Sequence, residues 1–115
     1  MTLVLLVDDD ENLICALETV VSGEGYRVRT AGDGEDALLV IEKELPNMIV
    51  TDITMPKMDG TELIRSLESV LLLSTIPVIV TSAAAQPVAL ASYTFLAKPY
   101  TMPKLLGILK ALKLP

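Results

Sequence analysis

Asp52-Ile53-Thr54-Met55-Pro56-Lys57-Met58-Asp59-Gly60 closes an apolar run, Met48-Ile49-Val50-Thr51, with a carboxylate and a loop punctuated by proline and glycine. The pattern predicts a buried strand that delivers Asp52 to the C-terminal edge of a sheet, where open α/β folds place their ligand sites. Leu3-Val4-Leu5-Leu6-Val7 ends in the same way, in Asp8-Asp9-Asp10. Two buried strands thus aim three or four carboxylates at one place. Such a cluster repels itself unless a cation sits within it, and a hard divalent ion with oxygen ligands suits it. Mg²⁺ fits best, because it takes few protein carboxylates and completes its shell with waters and phosphate oxygens.

The chain has no histidine. That removes Ser-His-Asp and Cys-His nucleophile activation and the common His-containing zinc sites. Chemistry here must run on carboxylates, hydroxyls, lysine and a metal. Gly32-Asp33-Gly34-Glu35-Asp36-Ala37 formally matches a dinucleotide loop, yet three acidic side chains stand where a pyrophosphate would sit. It reads as a turn and a helix start, because a helix N-terminus attracts acidic side chains for its own stability.

Strand and helix patterns alternate along the whole chain. After the first strand, Leu13, Ile14, Leu17, Val20 and Val21 recur at helical spacing, with Asp10 as the N-cap and Gly25 as the stop. Tyr26 to Ala31 reads as a second, partly exposed strand, and Ala37, Leu38 and Ile41 mark a helix closed by Pro46. Asp59 and Glu62 have the spacing of a capping box, opening a helix with Leu63, Ile64, Leu67 and Leu71 on one face. Pro77-Val78-Ile79-Val80-Thr81 is a fourth strand ending at Ser82, and a short, weakly patterned helix follows around Val88 to Ala91. Thr94-Phe95-Leu96-Ala97 is a fifth strand ending at Lys98-Pro99, and Leu105, Leu106, Leu109 and Leu112 mark a last amphipathic helix. Five β/α units with nearly continuous apolar strands imply an α/β fold whose parallel sheet is covered on both faces. Asp8, Asp9, Asp52, Ser82 and Lys98 all fall at C-terminal strand ends, which suggests one assembled site.

Composition narrows the function. A chain of 115 residues, 51% hydrophobic but only 3% aromatic, builds one domain around an aliphatic core. A net charge of −6 argues against direct nucleic acid binding, which needs a basic surface. The lone Cys15 cannot form an internal disulfide, reads as filler on a helix face, and suits a reducing cytoplasm. No stretch approaches the ~18–20 continuous apolar residues of a membrane span.

Taken together, Asp8-Asp9, the Asp52-x-x-Met55-Pro56-x-Met58-Asp59-Gly60 segment, Ser82-Ala83 and Lys98-Pro99 resemble the response-regulator receiver domain of two-component signalling along essentially the whole chain. The resemblance implies a flavodoxin-like (βα)5 doubly wound sheet of strand order 2-1-3-4-5, one receiver domain over residues 1–115, and no effector domain in this chain. It implies that Asp52 is the phosphoacceptor, taking a phosphoryl group from a sensor histidine kinase or a histidine phosphotransfer protein. Asp8, Asp9, Asp52 and the backbone carbonyl of Thr54 would hold Mg²⁺, and Lys98 would contact the phosphoryl oxygens. A carboxylate is already a nucleophile at neutral pH and needs only a metal to suppress repulsion from the incoming group. Ser82 and Phe95 would form the switch, with a cis Lys98–Pro99 bond and a downstream protein target. Catalysis would extend no further than phosphoryl uptake and slow self-hydrolysis.

The chain also departs from the family's pattern. Ser82 replaces a commoner threonine and Phe95 a frequent tyrosine. The segment from Ser82 to Lys98 is short by about 5–6 residues, roughly one and a half helical turns. It also contains Pro87, tolerated only near a helix start. The helix between the fourth and fifth strands, the family's fourth, is therefore expected to be shortened. A receiver-fold scaffold that binds partners without phosphorylation is one alternative function. An aspartate-nucleophile phosphatase of the haloacid-dehalogenase type, with Asp8 as nucleophile and Asp10 as its partner, is another.

Overall fold

Three apolar runs buried on both faces form the middle of one parallel sheet, and two partly exposed strands form its edges. The structure is a computed structural model and describes residues 1–113. Strands β1 (Leu3–Val7), β2 (Arg27–Ala31), β3 (Met48–Asp52), β4 (Val78–Ser82) and β5 (Thr94–Ala97) lie in the order β2-β1-β3-β4-β5. Every residue of β1, β3 and β4 is buried. Alternate residues serve opposite cores. Leu5, Val7, Ile49, Val78 and Val80 face α2 (Gly34–Lys43) and α3 (Gly60–Glu68). Val4, Leu6, Met48, Val50, Ile79 and Leu96 face α1 (Glu11–Gly23) and α5 (Met102–Leu112).

The helix starts follow the expected chemistry. Asp10 caps α1 by accepting the Leu13 amide, and Asp33 caps α2 by accepting that of Asp36. Asp36 in turn accepts the Gly32 amide, so the Gly32–Ala37 segment is a cap and not a phosphate loop. Asp59 and Glu62 form the reciprocal capping box of α3. Gly25 turns the chain into β2 at a φ of +91°, which glycine adopts without penalty.

One helical reading needs correction, and one helix is shortened as expected. Leu71 does not extend the α3 stripe: α3 ends at Glu68, and a separate short helix, α4 (Leu71–Ser74), follows with Leu71 86% exposed. The expected short helix before β5 is a single 3₁₀ turn, Val88–Leu90, with Pro87 as its N-cap. Cys15 is exposed on α1 and fills no packing space. Among the described residues, no helix is long and apolar enough to cross a membrane.

Candidate functional site

Sheet register gathers the polar strand ends. Val7 pairs with Thr51, so Asp8 and Asp52 leave the sheet side by side. Asp52 pairs with Thr81, and Ser82 with Ala97, which puts Ser82 and Lys98 on the same edge. Three backbone bonds hold these ends: Asp8 N to Ala31 O, Ile53 N to Thr81 O and Lys98 N to Ser82 O.

The side chains then meet. Lys98 Nζ donates to Asp8 Oδ2 at 2.7 Å and lies 3.4 Å from Asp52 Oδ2. Asp8 Oδ1 accepts the Asp10 amide, and Asp52 Oδ1 accepts the Ile53 amide. Asp8, Asp9 and Asp52 each offer a carboxylate oxygen within 4.8 Å of the others. Asp8 and Asp52 are buried while Asp9 is exposed, so the cluster opens to solvent on one side. Ser82 is buried, and its Oγ accepts the Ala84 amide at 3.0 Å. Phe95 is half-buried at the margin of the core. Thr54 is exposed on the loop after β3, and the Lys98–Pro99 bond is cis. Asp10, the second aspartate of the phosphatase reading, caps α1 instead of joining the cluster.

The electrostatics match a cation site. Burial foremost, and then the charge of Asp8, holds the Asp52 carboxyl above its usual range, with Lys98 partly offsetting both. Burial works to lower Lys98, but its hydrogen bond to Asp8 and the charges of Asp8 and Asp52 outweigh that and raise it. One ammonium against three carboxylates leaves the cluster net negative, and the free oxygens are the hard donors Mg²⁺ takes. The residues present therefore fit a divalent ion.

A raised Asp52 means its ionised form weighs against the fold. That penalty is absent below the unfolded carboxylate pKa and complete above the folded one. Asp52→Asn is thus expected to stabilise the metal-free protein at pH 7 by about 1 kcal/mol, roughly 3–6 °C in Tm. The same variant should lose most of the stabilisation that millimolar Mg²⁺ is expected to give the wild type. Thermal melts with and without Mg²⁺ check both, and an unchanged metal-free Tm would contradict the repulsion argument.

Sequence reasoning located the site residues by strand position but missed Gly60. An added Cβ there would stand 2.2 Å from the Asp52 carbonyl oxygen, so the start of α3 rests directly on the end of β3. Its only signal was a glycine at the first position of a helix, where it also reads as turn chemistry. Gln86, Tyr93 and Glu68, which tie down the crossover between β4 and β5, carried no signal at all.

Comparison with known proteins agrees with this fold. Residues 4–110 match the family profile described as the response regulator receiver domain. The alkaline phosphatase synthesis transcriptional regulatory protein PhoP of Bacillus subtilis (strain 168) is 44% identical over 64 residues. That stretch is 56% of this chain but only 27% of the Bacillus protein. The chemotaxis protein CheY4 of Vibrio cholerae superposes with a TM-score of 0.90 at 27% identity, covering 98% of this chain and 99% of its own. The receiver domain of Francisella response regulator 1452 superposes at 0.86 with 29% identity, covering 97% and 96%. Profile, fold and the clustered strand ends converge: the chain belongs to the response regulator receiver domain family.

Proposed function

We propose that the chain is a phosphorylation-activated signalling switch in which Asp52 accepts a phosphoryl group from a phosphohistidine of a sensor kinase or phosphotransfer protein. The observation that carries this reading is the position of Asp52. It lies at a strand end, 7% exposed, within reach of two further carboxylates and 3.4 Å from Lys98. An Asp52 oxygen attacks phosphorus, and an O–P bond forms as the partner's N–P bond breaks. The released imidazole nitrogen keeps the bonding pair and takes up a proton. Asp8, Asp9, Asp52 and the Thr54 carbonyl would hold Mg²⁺, which when bound offsets the charge on the transferring oxygens. Lys98 supplies the protein's own positive contact to the phosphoryl group.

The product adds about −1.5 to −2 of charge and three acceptor oxygens. The Ser82 hydroxyl then turns to donate to that group, and Phe95 moves into the space behind it, changing the face offered to a downstream protein. Residues 1–115 act as one receiver unit, in the cytoplasm, and the net charge of −6 disfavours direct contact with nucleic acid. The reaction ends at phosphoryl uptake and slow self-hydrolysis, so the chain is a switch and not a turnover enzyme.

Mg²⁺-dependent beryllofluoride binding, followed by amide NMR on wild type and Asp52→Asn, tests the proposal. Shifts at Asp52, Ser82 and Lys98 that spread to Phe95 and vanish in the variant are expected. No Mg²⁺-dependent response in the wild type would overturn the switch and favour a phosphorylation-independent scaffold. Label from a phosphodonor found on Asp8 would favour the phosphatase.

A further inference from the structure

The crossover from β4 to β5, residues 83–93, is held by Ser82 of the site and by side chains that the site itself does not use. Ser82 Oγ accepts the Ala84 amide at its start. Gln86 Nε2 donates to the carbonyls of Leu90 and Tyr93, at 2.9 and 3.2 Å. Leu90 N donates to Pro87 O, and Tyr93 N to Leu90 O, closing the 3₁₀ turn. Leu90 is buried in the core cluster against which Tyr93 and Phe95 pack. At the far end, the Tyr93 hydroxyl donates across to Glu68, the last residue of α3. Burial foremost, and then this hydrogen bond, pushes Tyr93 up to about 12.

We propose that this crossover is a strap latched in the resting position by Gln86 and the Tyr93–Glu68 hydrogen bond, and that the latch opposes the turning of Ser82 toward a phosphoryl group on Asp52. The inference rests on the switch reading above. Staggered side-chain wells lie about 120° apart, so a Ser82 hydroxyl turned toward Asp52 leaves the Ala84 amide without its acceptor. The start of the strap must then shift to find another partner or water. Whatever holds the strap in place therefore favours the resting Ser82 rotamer, and occupation of Asp52 loosens the strap by the same coupling. A full helix would be rigid through its own backbone bonds. A single 3₁₀ turn has few, so its side-chain ties decide how easily it opens. Gln86 and Tyr93 are thus positioning residues that act through Ser82.

Tyr93→Phe, Gln86→Leu and the double variant test this beside wild type, by amide hydrogen exchange without metal and by beryllofluoride titration with Mg²⁺. Faster exchange at the amides of residues 84 and 93, with β1 and β3 unchanged, is expected in each variant. The double variant should bind beryllofluoride about 3- to 10-fold more tightly. Glu68→Gln keeps an acceptor for the phenol and should stay closer to wild type than Tyr93→Phe does. Unchanged exchange in the strap overturns the latch. A loosened strap with wild-type beryllofluoride affinity overturns its coupling to the site. A wild type that takes no beryllofluoride overturns the switch reading, and the coupling with it, before any variant is compared.

Discussion

Alanine at Gly60 is expected to destabilise the fold by about 3 kcal/mol and to slow phosphoryl uptake at Asp52 by roughly 10²-fold. The added Cβ would stand 2.2 Å from the Asp52 carbonyl oxygen, 2.9 Å from Ile53 Cα and 3.1 Å from the Asp52 carbonyl carbon. All three atoms are backbone, so no rotamer change relieves the clash. Either α3 lifts from the sheet or the end of β3 moves, and the Gly60 N to Ile53 O bond at 2.8 Å resists their separation. The first route loosens Leu63, Ile64 and Leu67, which are buried in the core beneath α3. The second displaces the carboxylate that the proposed phosphoryl transfer needs within a fraction of an ångström. Gly107 supplies the contrast. It lies in α5, and nothing within 4 Å meets an added Cβ. Gly107→Ala should therefore stabilise by about 0.5–1 kcal/mol through helix propensity alone. Denaturant melts of the two variants should move in opposite directions, and a Gly60→Ala midpoint equal to wild type would refute the contact.

The sheet was legible because a parallel strand buried on both faces has to be an apolar run, and a strand end that carries chemistry has to be polar. Leu3–Val7 with Asp8, and Met48–Thr51 with Asp52, show that change within one or two residues. Neighbour relations were not legible in the same way. Nothing in the periodicity says that β1 lies between β2 and β3, and that order came from resemblance to a family. Leu71 shows the limit of pattern reading. It sits four residues after Leu67 and continues the apolar stripe, yet the chain breaks at Ser69 and Val70 and turns Leu71 outward. Helical spacing registers where apolar residues recur, but not whether the sheet beneath has room for another one.

The site was legible as a set of positions and not as a set of contacts. That Asp8, Asp52 and Lys98 share an edge follows from strand ends; that Lys98 donates to Asp8 at 2.7 Å and only approaches Asp52 at 3.4 Å does not. The difference matters for the phosphoryl transfer proposed above. A lysine held by Asp8 leaves the Asp52 carboxylate less neutralised, and so more basic and more available to an electrophilic phosphorus. The crossover between β4 and β5 was legible as a deficit of residues and a short turn after Pro87, but not in its ties. Of its replacement ties, those of Gln86 are local but irregular, while Tyr93 reaches back across the fold to Glu68, and no spacing rule brings those two together.

Replacing Lys98 with methionine is expected to destabilise the protein at pH 7 by about 2 kcal/mol, less than the ~3–5 of a fully buried pair because Lys98 is partly open to water. It should also slow phosphoryl uptake by roughly 10²-fold, as loss of a positive donor at the transferring group does. Methionine keeps the apolar stem and removes the charge, which leaves Asp8 and Asp52 buried together with no cation between them. The pH dependence follows from the directions of the shifts. Lys98 is raised on folding, so its contribution is complete below the unfolded lysine pKa and is lost only as pH climbs through its folded value. Asp52 is raised as well, so its ionisation counts against the fold above its folded pKa and not at all below its unfolded one. The deficit of Lys98→Met should therefore be largest at neutral pH and shrink as acid protonates the cluster. Asp52→Asn in the same chain removes one of the two uncompensated charges, and should recover at least half of the lost stability while abolishing uptake altogether. Such non-additivity is what a shared charge network produces, and two independent sites would not show it. A Lys98→Met deficit that is flat from pH 4 to pH 8, or equal with and without Asp52→Asn, would mean that Lys98 acts by packing and that the cluster is balanced by something other than its ammonium group.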